Sequence, residues 1–102
     1  MISVIVPAYN EEKNIGKCLE SLSRQTVPRD SYEIIVVDGG SKDRTREIAA
    51  GYADKVFIQT SKKVGGARND GALSAKGEII ATTDADCFIP PEWLSVIGAA
   101  FE

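Results

Sequence analysis

Four short apolar runs alternate with stretches in which apolar residues recur every three to four positions. This pattern organises the 102 residues of the chain. The first run, residues 2–6, is rich in β-branched residues, and Pro7 is expected to end it because proline cannot donate to a ladder. Over residues 10–24, Ile15, Cys18, Leu19 and Leu22 fall on one helical stripe. Asn10 is placed as its cap, with Glu11 and Glu12 in a first turn where the helix dipole favours acids. After the polar connection QTVPRDS, a second strand is predicted over residues 33–37, stopping at Asp38 and the turn Gly39-Gly40. Ser41 or Asp43 can cap the next helix, which ends near Gly51. A weaker strand over 55–59 and the connection TSKKVGG lead to a helix over 66–76 built of small residues, with Gly77 as its stop. A strand over 78–83 follows. Pro90 and Pro91 then open a helix whose stripe is Trp93, Val96, Ile97 and Ala100.

Strand and helix alternating four times predict an α/β protein: a mostly parallel sheet with helices on both faces, joined by right-handed crossovers. Ligands of such sheets bind at the carboxyl ends of the strands. That rule gathers Pro7, Ala8, Tyr9, Asn10 and Glu11 after the first strand, Asp38 to Ser41 after the second, and Asp84 and Asp86 after the fourth. The fourth strand, apolar at Ile79 and Ile80, is expected at or near an open edge, where it would invite self-association.

Composition narrows the chemistry. Twelve basic and fifteen acidic residues give a net charge of −3, scattered without a basic stripe, so nucleic acid is not expected as a partner. The chain contains no histidine, which excludes histidine-dependent catalysis within it, and its two cysteines lack metal-binding spacing. Cys18 lies on the apolar stripe and reads as a buried small hydrophobe; Cys87 reads equally as packed or as partly reactive. The opening residues lack a basic segment and a cleavage site, and no apolar run approaches the roughly 20 residues of a spanning helix. A soluble, cytoplasmic stretch is expected.

Each motif has a functional reading and a plainer one. VPAYNEE offers a pocket in which Tyr9 and nearby backbone hold a base, or a helix cap with an exposed tyrosine. VVDGGSKDRT offers Asp38 as an acceptor beside glycines that let a ligand approach, or a tight turn and a cap. GGARNDG places Arg68 near a helix start, suited to a phosphate, or simply solvated. Asp84 and Asp86, with one residue between them, would face one point if the chain there is extended. They read as ligands of a divalent cation, Mg²⁺ or Mn²⁺, or as a cap and a turn acid. One site for a nucleotide diphosphate and a divalent ion explains all four motifs together.

In this order SVIVPAYNEE, EIIVVDGGSKDRT, GGARNDG and TTDADCFIPPEWL tile nearly the whole chain, which resembles the amino-terminal half of a family-2 glycosyltransferase with the GT-A fold. The resemblance implies a Rossmann-like half-domain over residues 1–102 and transfer of a sugar from a nucleotide-diphosphate donor, with inversion, to an acceptor the sequence does not identify. It implies that Ala8, Tyr9 and Glu11 line the base and ribose pocket and that Asp38 binds the base, with Pro7 and Gly40 also among the nucleotide-sugar-binding residues. Arg68 would lie on the diphosphate side, while Asp84 and Asp86 form the Asp-X-Asp pair for ribose and metal. Many relatives carry a second acid where Gly39 stands. The family's acceptor site and general base come from beyond the Asp-X-Asp motif, so no catalytic base is assigned here and the half alone is expected to be inactive. Some relatives act on lipid-linked acceptors, which would bring such a chain to the inner membrane face indirectly.

Other α/β readings fit less well. A sugar-1-phosphate nucleotidyltransferase would place a basic, glycine-rich loop where PAYNEE stands. A receiver-like, Mg²⁺-binding signalling domain needs a late lysine on a fifth strand, and the last lysine, Lys76, precedes the acid pair. No G-x-G-x-x-G follows the first strand, against a dinucleotide fold. A non-catalytic nucleotide-binding module stays open.

Overall fold

The computed structural model describes residues 1–63 and 65–101. Val64, in the TSKKVGG connection, and Glu102 lie outside the described residues. Along the chain run β1 Ile2–Ala8, α1 Ile15–Ser23, β2 Tyr32–Asp38, α2 Thr45–Ala49, β3 Lys55–Ile58, α3 Gly66–Ser74, β4 Ile79–Thr82 and α4 Trp93–Ala99, with a 3-10 turn at Arg29–Ser31. The strands form one sheet in the order β3-β2-β1-β4, and every pairing is parallel. The expected α/β architecture is therefore the observed one.

β1 and β2 are apolar at nearly every position because both of their faces are covered. Val4, Val6, Ala8, Ile34 and Val36 point to one side, where they pack with Ile15, Cys18, Leu19 and Leu22 of α1, Ala49 of α2 and Leu94 of α4. Ile5, Ile35 and Val37 point to the other, against Phe57 and Ala67, so α3 covers that face. α3 sits close because Gly71 lies on Ile5: a Cβ there would stand 2.6 Å from the isoleucine methyl.

Several boundaries differ from the sequence reading. Pro7 does not end β1; it pairs with Val37 inside the strand. The carbonyls of Met1 and Ile5 accept from Ile79 and from Thr83, just past β4, and that of Ala8 from Gly39. Pro7 thus faces the β4 side, where the ladder has stopped at Ile5 and Thr82. Its missing N–H costs no ladder bond. α1 starts at Ile15, not at Asn10, because Asn10 adopts a left-handed φ of 52° and spends its polar groups elsewhere. α2 starts only at Thr45, and α3 ends at Ser74, before Gly77. In α4 the buried residue is Leu94, flanked by half-buried Trp93 and Ile97, whereas Val96 is 67% exposed. The helix is rotated by about one position from the predicted stripe.

The amino end of the sheet holds a polar cluster that periodicity does not reveal. Buried Glu33 accepts from the Ser3 hydroxyl and the Lys76 amide, both at 2.6 Å, and lies 3.6 Å from the Lys55 ammonium. Ser3 Oγ in turn accepts from Gly77 N–H at 2.8 Å. Burial pushes the Glu33 pKa up, but the hydrogen bonds and Lys55 outweigh it and the net shift is downward. This network pins the α3–β4 connection under the sheet and so fixes where β4 delivers Asp84.

Candidate functional site

The register aligns Ala8 with Asp38 and Ile5 with Thr82, so β1, β2 and β4 release their following loops along one edge. Hydrogen bonds stitch the first two loops together. Gly39 N–H donates to Ala8 O at 2.8 Å, Asn10 N–H to Ser41 Oγ at 2.7 Å, Lys42 N–H to Asn10 Oδ1 at 2.9 Å and Glu11 N–H to Thr45 Oγ1 at 2.8 Å. Asn10 therefore bridges loops where the sequence suggested a helix cap. Pro7, Ala8 and Tyr9, with Gly39, Gln59 and Ala67, line a cleft of about 240 Å³. Tyr9 is 57% exposed and its ring stands 3.4 Å from where a Gly39 Cβ would be. That aromatic wall beside open backbone suits a flat ring.

Asp38 is fully buried at the end of β2. Its Oδ2 accepts from Gly40 N–H at 2.9 Å, Ser41 N–H at 2.6 Å and Arg46 at 2.8 Å, and its Oδ1 accepts from the Ser41 hydroxyl. Burial raises its pKa, yet the Ser41, Arg46 and Gly40 bonds prevail and hold the carboxyl below its ordinary value. Three of these donors meet Oδ2 and one meets Oδ1. Asp38 thereby shapes the Gly39-Gly40 loop, where Gly40 takes a φ of 95°.

The two acids converge, but not by strand alternation. β4 ends at Thr82, and Cys87 N–H donates back to Asp84 O at 3.2 Å, closing a turn with buried Ala85 facing the core. Ligand atoms of Asp84, Asp86 and Cys87 all lie within 4.8 Å of one another. Of these three groups, the two carboxylates are the ones that could hold a hard divalent ion, which takes oxygen ligands. The turn is anchored from α1, where the Cys18 thiol donates to Asp84 O at 3.4 Å. Burial first, then the neighbouring Cys87, raises the Cys18 pKa to about 11, so this thiol stays protonated and able to donate.

Glu11 provides a further signal. Its Oε2 is buried and, among the described residues, finds no hydrogen-bond partner. An orphaned buried carboxylate oxygen calls for a donor, and a ligand hydroxyl would supply one. Arg68, in the first turn of α3, places its guanidinium 3.3 Å from Asp84 Oδ1. The sheet edge thus gathers Pro7, Ala8, Tyr9, Glu11, Gly40, Arg68, Asp84 and Asp86, with Asp38 beneath it. Sequence reasoning missed Cys18, Ser41, Thr45 and Arg46 as supports. Ser41 carried a signal, three residues after a strand-end Asp; Arg46 and Cys18 carried none without the tertiary fold.

Comparisons with known proteins bear on this edge. A profile of the family described as Glycosyl transferase family 2 matches residues 3–102. Glycosyltransferase AglE of Haloferax volcanii is 42% identical over 99 residues, covering 91% of this chain and 33% of that protein. The poly(ribitol-phosphate) beta-N-acetylglucosaminyltransferase TarS of Staphylococcus aureus is 38% identical over 103 residues, 95% of this chain and 18% of its own length. Among solved structures, TarS 1–349 in complex with UDP-GlcNAc superposes with a TM-score of 0.84 at 34% identity, covering 96% of this chain and 30% of that one. The mannosyltransferase PcManGT of Pyrobaculum calidifontis, in complex with GDP-Man and Mn²⁺, gives a TM-score of 0.81 at 33% identity, covering 92% and 30%. The chain therefore spans about a third or less of the relatives it matches.

Proposed function

The chain belongs to glycosyl transferase family 2 and has the α/β build of its GT-A members, and from that premise we propose that its sheet edge binds the nucleotide-diphosphate sugar donor of an inverting glycosyltransferase. One observation carries the reading: the Asp84 and Asp86 carboxylates converge at the edge that also presents the Tyr9 cleft. Pro7, Ala8 and Tyr9 take the base. The orphaned Glu11 oxygen takes a ribose hydroxyl, Asp38 and the Gly39-Gly40 loop it holds serve the base, and Arg68 serves the diphosphate. Asp84 and Asp86 hold a divalent ion, Mg²⁺ or Mn²⁺, which supplies charge neutralisation for the departing diphosphate. Deprotonating the acceptor hydroxyl needs a carboxylate that none of these residues provides. Residues 1–102 thus act as the donor-binding half, and the acceptor half supplies the base.

No helix of the described residues is long and apolar enough to cross a membrane. A lipid-carried acceptor would bring the chain to a membrane surface as a peripheral protein. A second copy of the chain is proposed as a partner along the open edge of β4.

Calorimetric titration with uridine and guanosine diphosphates, with and without Mn²⁺, tests the donor reading. Binding that requires Mn²⁺ and weakens at least about tenfold in Asp86→Ala is expected, since even the supports of a metal ligand are worth that much. Binding indifferent to both, or none by a chain shown folded by circular dichroism, overturns it.

A further inference from the structure

Arg68 is held where it opposes the ion that the acid pair would bind. α3 is fixed at its start: Gly65 has a φ of 75°, and Gly66 has no room for a side chain, its Cβ position lying 2.8 Å from Ser61 O. Asp70, one turn on, accepts from the Thr60 and Ser61 amides at 2.6 and 3.1 Å, and Gly71 seats the helix on Ile5. The guanidinium is thus presented from a rigid base, and its one ion pair among the described residues is with Asp84, at 3.3 Å. Arg68 and Asp84 are 52% and 67% exposed at their side chains, so the pair is weak and exchangeable.

A cation entering between Asp84 and Asp86 meets a like charge already on Asp84 Oδ1. Displaced from there, Arg68 remains in the first turn of α3, next to Ala67 of the cleft, with a fork of donors matched to phosphate oxygens. We propose that Arg68 is a two-position counter-charge: on Asp84 in the free protein, where it disfavours the metal alone, and on the diphosphate in the complex. Metal and nucleotide diphosphate then favour each other's binding, and by linkage each raises the other's affinity by the same factor. This inference rests on the donor-site reading and adds to it a positioning residue that couples its two ligands.

The test compares wild type, Arg68→Gln and Arg68→Lys, each checked for folding by circular dichroism. Mn²⁺ alone is titrated by calorimetry and by the electron paramagnetic resonance of the free ion; uridine or guanosine diphosphate, whichever the wild type binds, is titrated with Mn²⁺ present. Arg68→Gln is expected to bind Mn²⁺ alone about threefold more tightly, the worth of an exposed ion pair. The same variant should bind the diphosphate about tenfold more weakly, the worth of a hydrogen bond to a charged group. Arg68→Lys keeps the charge but not the fork, so it should bind Mn²⁺ like wild type while still losing diphosphate affinity. A merely structural arginine cannot move the two affinities in opposite directions. If wild type binds diphosphate with Mn²⁺ but Arg68→Gln leaves the Mn²⁺ affinity unchanged or lowers it, the counter-charge inference falls and the donor site stands. If wild type shows no metal-dependent binding, the donor site falls and this inference with it.

Discussion

At the scale of single residues, Asp38 shows how a buried acid can hold a loop from underneath. Its carboxylate is buried yet carries four donors, and these hold its pKa below the ordinary value against the effect of burial. A depressed folded-state pKa contributes stability that is present above the unfolded value, near about 3.9, and is lost as pH falls through the folded one. Thermal unfolding followed from pH 7 to pH 2 should therefore show a steep loss of stability below about pH 4, to which Glu33 also contributes in the same direction. Asp38→Asn should destabilise by about 2–3 kcal/mol at pH 7, the worth of hydrogen bonds to a charged group, and flatten the acid limb of the profile. An unchanged limb in the variant would remove Asp38 from this role. Glu11 is the opposite case: among the described residues its buried Oε2 finds no hydrogen-bond partner.

At the scale of elements, α3 is placed by the absence of side chains. Gly71 lets the helix rest on Ile5, and a Cβ there would come within 2.6 Å of one methyl and 3.0 Å of the next carbon. Alanine elsewhere in a helix gains about 1 kcal/mol over glycine. Here overpacking of a buried β-branched residue costs about 1–3 kcal/mol and the helix must lift. Gly71→Ala is thus expected to lower the denaturation midpoint and, because Arg68 rides on the same helix, to weaken diphosphate binding as well. A more stable variant would show that α3 is not seated as described. The small residues of this segment were legible in the sequence as a helix, but the reason for glycine at position 71 is Ile5, sixty-six positions away. The same limit explains α4: Trp93, Ile97 and the position of Pro90-Pro91 marked the helix, yet only the packing of Leu94 decided which face turned inward.

At the scale of the whole molecule, β4 is the edge strand of the sheet among the described residues, and it carries Ile80 at 42% exposure. An edge with apolar side chains and unpaired backbone groups is a template for another strand. Light scattering at high micromolar concentration should report a mass above the 11.0 kDa monomer, and Ile80→Lys should reduce it. A wild-type monomer at that concentration would count against pairing through β4.

The sequence by itself determined the order of strands and helices, the parallel α/β class and the four motifs that meet at one edge. Each of those follows from local period, from proline and glycine positions, or from the rule that such sheets bind ligands at their carboxyl ends. Tertiary structure alone decided that Pro7 could stay inside β1, since only the length of the β4 ladder leaves its missing donor unneeded. It also decided that Asn10 would bridge loops, that Asp38 would be buried and that a turn, not an extended strand, would bring Asp84 and Asp86 together. In each case a polar group chose among partners close in space and distant in sequence, and that choice is made by the fold as a whole.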